Sequence, residues 1–451
     1  MKKLFKNRNY FLLFQGSLVS AIGTSLYSFA AGLYVQDLFG EDGGAIYLSL
    51  FMAVSIIIQI VLSPITGTIV DKVNKIKVLY VTDFIRALLF ATTLYVLTLG
   101  YPKEIIIWVL LGTTAIASVN QAFFGPAATA SIPEIVGEDQ IQAANGANSI
   151  VSSVQGILGI VAGMFLYAIV GFEAAVLINA ISFMFSAITE MFIKTDPKLV
   201  NEQILPEDKP SFWEDIKFGF KYLKSTTGLL TMMIFSAMLN FCFSPVFGVG
   251  IPYLFRTELG SSEYELGIID IVFSITMLIA SIIVGSMKIK SLKKSVKKGI
   301  ISMAGVFVLM TIFIVLVTYN IIGYWLFFAL MIAINSMLAF TMIYTNVPIN
   351  TGMMKAIDPK VRGRVFATIG AMSMAAIPIS TLAAGFIVNA TNVAVLSIIF
   401  SFILVIVTFG VVSNKNVAIM LDGIDNKGKE LAEAARLKED PASIFEAYEN
   451  D

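Results

Sequence analysis

Stretches of about 20 apolar residues, each long enough to cross roughly 30 Å of hydrocarbon as a helix, recur along almost the whole chain. They fall near residues 10–35, 45–66, 77–99, 104–125, 141–169, 172–193, 228–255, 263–286, 299–319, 322–347, 364–388 and 392–412. About twelve such segments leave little sequence for a water-soluble domain. A backbone in lipid must satisfy its polar groups within itself, so the expected fold is an all-α polytopic membrane protein. Composition agrees: 57% of residues are hydrophobic and only 14% charged, against about a quarter charged in soluble proteins.

The charges that remain are balanced, with 31 Lys and Arg against 31 Asp and Glu. That removes the basic excess that nucleic-acid binding requires. There is no histidine and a single cysteine, Cys242, so histidine catalysis, zinc sites and internal disulfides are not expected. No cofactor or bound metal is expected, and an enzyme is disfavoured because paired mid-membrane carboxylates and a nucleophile motif are missing.

Cationic loops mark the cytoplasmic side. Lys2, Lys3, Lys6 and Arg8 precede the first span, Lys72, Lys75 and Lys77 follow the second, and Lys288, Lys290, Lys293, Lys294, Lys297 and Lys298 follow the eighth. Lys355, Lys360, Arg362 and Arg364 follow the tenth. The alternate loops are poor in cations, with Asp37, Glu41 and Asp42 after the first span and Glu173 after the fifth. Both termini are therefore expected in the cytoplasm. The first apolar segment has no small-residue cleavage site before a polar domain, which favours a retained span over a removable signal.

A polar segment, 194–224, holds Pro197, Pro206 and Pro210 among charges and divides the chain. It separates an N-terminal six-helix bundle, 1–193, from a C-terminal one, 225–413, and is expected to carry an interfacial helix from Phe212 to Leu223. Residues 414–451 form a charged tail, expected to be a solvated helix or a disordered end. The spacing from Pro126 to Gly163 equals that from Pro348 to Gly385, and in both copies the proline is expected to end a helix. Together with the six-plus-six count, this predicts two pseudo-symmetric bundles.

The turn after the second span opens with Gly67, reaches Asp71 and Lys72, and continues through Asn74 to Lys75 and Lys77. Glycine lets a neighbouring helix approach, and an Asp followed by cations can pair across helices to hold one face shut. This pattern resembles the signature loop of the major facilitator superfamily, with Lys72 where Arg is usual and Asn74 where Gly is usual. Further segments resemble the drug-exporter branch with the macrolide-efflux and enterobactin-exporter proteins. They are Val81 to Ala87, Ala122 to Ala127, Pro133 to Val136, Ala143 to Ser149 and Asp358 to Phe366. The likeness covers roughly residues 1 to 413.

The resemblance implies the major facilitator fold and a monomeric exporter of a small organic solute in a bacterial cell membrane, driven by proton entry. One departure bears on coupling. Many relatives carry an Asp after the glycine in the first span, whereas this chain reads Gly23-Thr24-Ser25, and Thr24 cannot carry a proton. Asp270 is the proton-coupling candidate, because a lone carboxylate at mid-depth costs about 2.5 to 3.5 kcal/mol and taking up a proton relieves that. Its alternative is a packing contact or a pair with Arg256. Asp83 and Arg86, three apart on one helix face, are assigned with Gly67, Asp71, Lys72, Lys75, Arg362 and Arg364 to a cytoplasmic gate. Glu190, at the inner end of the sixth span, is expected to reach water.

Polar residues inside spans must face a cavity or another helix. That selects Tyr27, Gln59, Asn120, Gln121, Gln155, Asn240, Asn335 and Tyr344 as cavity candidates, with Phe124, Phe241, Phe243 and Phe340 as an adaptable apolar wall. Such an inventory suits a drug, macrolide or siderophore-like amphipathic molecule better than an inorganic ion. A lipid or lysolipid translocator and a non-transporting membrane sensor are the alternatives. No G-x-x-x-x-G-K-[ST] motif is present, so ATP hydrolysis in this chain is not expected.

Overall fold

A computed structural model describes residues 2–136, 140–194, 212–287, 291–357, 361–423 and 426. The expected linker and tail lie mostly outside these residues, as do the side chains of the expected gate residues Asp71, Arg362 and Arg364. All regular elements among the described residues are helices. Eleven of them are long and apolar enough to cross a membrane. The remaining expected span, 141–169, is also helical, over Ile141–Val170.

A short α1 (Lys2–Lys6) leads into α2 (Arg8–Phe39), followed by α3 (Gly44–Lys72), α4 (Lys75–Thr98) and α5 (Lys103–Val136). The first half closes with α6 (Ile141–Val170) and α7 (Phe172–Met191). Between the halves lies α8 (Phe212–Ser225), at the place expected for an interfacial helix. The second half runs through α9 (Leu229–Glu258), α10 (Glu263–Ser286), α11 (Leu292–Thr318) and α12 (Tyr324–Ala356). It ends with α13 (Arg362–Ala375), α14 (Ile377–Ala390) and α15 (Val393–Ser413).

Local chemistry fixes several helix starts. The Asn7 side chain accepts from the amides of Asn9 and Tyr10 to cap α2, Asn74 accepts from the Lys77 amide to cap α4, and Asn392 accepts from the Val395 amide to cap α15. Each satisfies a donor that the first helical turn leaves orphaned. Between α6 and α7 the reversal falls on Gly171, whose φ of 92° is open to glycine and costly for other residues.

Two expectations about proline are corrected. Pro126 and Pro348 do not end helices: they lie inside α5 and α12. A proline removes one backbone donor, and within a bundle neighbouring groups absorb that loss. The span expected at 364–388 is found as one crossing, Thr368–Ala390, interrupted by a turn at Ala376 between α13 and α14, with Pro378 at the first turn of α14, where a missing amide proton costs nothing. Asp37, expected in a loop, sits in the last turn of α2.

In the first half α2 packs on α6 and α7, α4 on α5 and α7, and α3 on α5. In the second, α11 packs on α12 and α15, α10 on α12, and α9 on α13, α14 and α15. Across the halves α3 meets α14 and α6 meets α10, so the second span touches the eleventh and the fifth touches the eighth. A two-fold exchange of the halves swaps these two contacts, as a duplicated bundle requires.

Small residues permit the close crossings. A Cβ on Gly23 of α2 would collide with the Ser182 side chain and come within 3.0 Å of Asn179 Oδ1 on α7. One on Gly385 of α14 would meet Ser49 and the Ala45 carbonyl of α3. In lipid the helices gain little hydrophobic energy from meeting, so such close van der Waals approach does the holding.

Candidate functional site

Between the two bundles lies a cavity of about 610 Å³. Its first-half wall is mixed, with polar groups set among Phe29, Leu33, Leu48, Phe51, Met52 and Ile56. α2 contributes Ser17, Ser20, Thr24, Tyr27 and Ser28, α3 contributes Ser55 and Gln59, and α5 contributes Thr114, Ser118 and Gln121. Gln155 of α6 and Arg86 of α4 complete it, beside Phe90, Phe124 and Phe183. The second half supplies only Gly248, Pro252, Leu266 and Asp270. The first half thus supplies nearly all of the cavity's hydrogen-bonding groups, interleaved with apolar side chains, and the second half adds one acid.

Asp270 enters from α10, seven residues past Glu263, or about 10 Å along the axis at a rise of about 1.5 Å per residue. Among the described residues no cation lies within ion-pair distance of it. Arg256, its possible partner in sequence terms, is engaged elsewhere. Its Nη2 lies 2.5 Å from Asp37 Oδ1, and its Nη1 donates to the Ser261 carbonyl at 2.9 Å.

That Arg256–Asp37 pair ties the second half to the first at the face opposite the start of α2 and the end of α15. Beside it Thr257 Oγ1 donates to Gln36 Oε1 at 3.1 Å, and the Tyr167 hydroxyl donates to the other Asp37 oxygen at 2.5 Å. Sequence reading did not single out this cluster. Its residues lie in the last turns of three separate spans, where isolated charges are ordinary.

The residues expected to line the cavity separate into two groups. Tyr27, Gln59, Gln121, Phe124 and Gln155 stand on its wall. Asn120, Asn240 and Asn335 do not, and each donates its amide to the carbonyl four residues back, on Ile116, Ser236 and Met331 respectively. Phe241 packs on Phe400, Phe243 packs against Phe247 and Phe307, and Phe340 stacks with Tyr344. Serines and threonines that were not singled out take their place. Ser17, Ser20, Thr24 and Ser28 recur every three or four residues, so they form one face of α2, and that stripe was the available signal.

The expected gate residues also occupy two places. Lys75, at the start of α4, lies 2.5 Å from Glu134 in the last turn of α5, both largely buried. Gly67 and the exposed Lys72 lie near it at the end of α3. Asp83 and Arg86 lie deeper, on the buried face of α4, with Arg86 Nη1 3.3 Å from Asp83 Oδ1. The Arg86 guanidinium sits between the Phe124 ring at 4.9 Å and the Phe183 ring at 5.0 Å. Each such face attracts a cation.

Glu190 departs from expectation. It does not reach water: its side chain is fully covered, because α7 lies against α4 and α2 here and Gly16 of α2 passes directly over Ser186 and Thr189.

The profile described as Major Facilitator Superfamily matches residues 13–381. Macrolide efflux protein A of Streptococcus pyogenes is 23% identical over 277 residues, which is 61% of this chain and 66% of that protein, just under two thirds of its length. An uncharacterised transporter of the same superfamily from Bacillus subtilis (strain 168) is 24% identical over 373 residues, covering 80% of this chain and 81% of its own. Among solved structures, a bacterial homologue of the iron transporter ferroportin in an inward-facing state aligns with a TM-score of 0.68. It shares 12% identity and covers 90% of this chain and 99% of its own. A D-xylose–proton symporter aligns at 0.66, also with 12% identity, over 90% and 98%. At such identity these structures show the fold alone.

Proposed function

This chain belongs to the major facilitator superfamily and is a multi-pass membrane transporter, and from that premise we propose that it exports an amphipathic organic solute by alternating access, with proton entry as the drive. The observation that carries the proposal is the mixed lining of the cavity between the bundles. Its volume falls in the range of small-molecule sites, about 300 to 1,000 Å³, and it sets serine, threonine and glutamine side chains among phenylalanine, leucine and methionine side chains. A solute that is itself part polar and part greasy fits that mixture better than a sugar, which needs polar partners all round. The likeness to a macrolide efflux protein supports the direction of transport and the drug-like class.

Cations concentrate on the face that holds the start of α2 and the end of α15, so that face is assigned to the cytoplasm of a bacterial cell. The Arg256–Asp37 cluster then closes the outer face. Asp270 carries the coupling proton in this reading: it borders the cavity, belongs to the second bundle and has no cation beside it among the described residues. A proton entering down 100 mV supplies about 2.3 kcal/mol per charge. The cavity that cargo also occupies gives it a route to Asp270, which gives competition between the two.

The test is transport in inverted vesicles under an imposed proton gradient, with a panel of macrolides, siderophores and lysolipids. Asp270→Asn should abolish pH-driven uptake while leaving binding-induced thermal stabilisation in place. Undiminished proton-driven uptake in that variant would remove Asp270 from the mechanism. Uptake of lysolipid alone would replace the drug-like class by the translocator.

A further inference from the structure

Three ionisable groups are buried together in the first bundle, away from the acid that the transport reading uses. Asp83 and Glu190 are 0% exposed and Arg86 is 4% exposed. Asp83 contacts Arg86 at 3.3 Å, and the Ser186 hydroxyl donates to Glu190 Oε1 at 3.3 Å. Glu190 Oε2, both Asp83 oxygens, and Arg86 Nε and Nη2 make no hydrogen bond.

The elements around the cluster bring no further charge among the described residues. α2 presents Gly16 and Ser20, α5 presents Phe124, α7 presents Phe183, Ser186 and Thr189, and α4 adds Thr82. Two carboxylates therefore share one guanidinium. Fully ionised, the cluster would hold one uncompensated negative charge in a dry site, which is among the costliest arrangements a protein interior offers. The site becomes neutral by binding one proton.

Geometry says where that proton goes. Asp83 has the direct contact with Arg86, whereas Glu190 has only a serine hydroxyl. Arg86 also borders the central cavity, so the cluster meets water-accessible space on that side.

We propose that Asp83, Arg86 and Glu190 form a proton-binding site in the first bundle, in which Glu190 holds one proton while Asp83 stays paired with Arg86. The proton is taken from cavity water as hydronium: one O–H bond forms on the Glu190 carboxylate, one breaks, and water is returned. The proposal extends the proton-driven reading but is tested without cargo or transport, so a failure of the export reading leaves its result intact.

The experiment is infrared difference spectroscopy of the purified full chain in lipid nanodiscs, following the C=O band of protonated carboxyl groups at neutral pH. Asp270→Asn serves as the background, to remove the acid assigned to coupling. In that background one protonated carboxyl per chain is expected. Glu190→Gln should abolish its band. So should Asp83→Asn, because the lone remaining carboxylate then pairs with Arg86 and sheds its proton. This second loss is what a merely structural glutamate would not produce. A band that survives Glu190→Gln overturns the proposal, and so does one unchanged in Asp83→Asn. If Glu190→Gln does not fold, the background protein and Asp83→Asn still decide: no protonated carboxyl in the former at neutral pH also overturns it.

Discussion

The ties at the face opposite the start of α2 and the end of α15 should set how often the two bundles part there. Arg256 is 13% exposed and Asp37 38% exposed, with 2.5 Å between Nη2 and Oδ1. A charge-assisted hydrogen bond contributes about 1.5 to 3 kcal/mol, and the partial exposure of Asp37 lets solvent screen it, which lowers the figure to about 1 to 2 kcal/mol. At about 1.4 kcal/mol per tenfold, Asp37→Asn should raise the population open at that face roughly five- to thirtyfold. Arg256→Gln should do the same, and the double variant should add little, since either change alone removes the pair. Fluorophores on cysteines introduced at Tyr101 and Ile321, two exposed positions in loops of the same face, would report the distance by single-molecule energy transfer. The native Cys242 is buried and should not label. A change under about twofold in either single variant, or fully additive effects in the double, would refute the lock.

Other expectations follow from the same geometry. The Tyr27 hydroxyl is buried without a partner, so Tyr27→Phe should alter the melting temperature of the empty protein little, while lowering the affinity for a cargo that bonds to it by about five- to tenfold. Gly23→Val forces side-chain atoms into Ser182 and Asn179 and should cost about 1 to 3 kcal/mol; an unshifted thermal melt would show that α2 and α7 are not held as described. Glu134→Gln strands the largely buried Lys75 and should destabilise by about 3 kcal/mol, whereas pairing it with Lys75→Met should recover much of the loss. A double variant no more stable than the single would argue against a mutual pair.

The fold was legible because spanning a bilayer demands length and apolarity, both of which are one-dimensional properties. The polar segment at 194–224 and the repeated spacing from Pro126 to Gly163 and from Pro348 to Gly385 added the division into halves. What surrounds a given polar side chain is not one-dimensional. Asn120, Asn240 and Asn335 had to avoid lipid, and they do so by bonding back to their own helices rather than by facing the cavity. The second-bundle wall was invisible for the opposite reason, since Gly248, Pro252 and Leu266 carry no polar signal. Glu190 looked like an end-of-span residue. Its burial depends on α2 starting at Arg8, far enough back for Gly16 to cross over α7. That is a fact of packing, which spacing within α7 cannot reveal.

The second-bundle wall and the lock belong to one stretch of chain. After Pro245, α9 widens into looser turns at Val246–Gly250 and again at Leu254–Glu258, with Pro252 between them. Gly248 and Pro252 border the cavity, while Arg256 and Thr257 make the ties to α2. Gly248 and Arg256 are eight residues apart, or about 12 Å along the helix. Widened turns and proline are where a helix bends, because the regular ladder of backbone hydrogen bonds is already interrupted there. In the proposed mechanism a solute pressing on Gly248 and Pro252 would act on the same segment that presents Arg256 to Asp37. Cargo occupancy and the lock would then be coupled through α9 without any longer path across the bundle; such coupling requires a second arrangement of α9 that both ends bias.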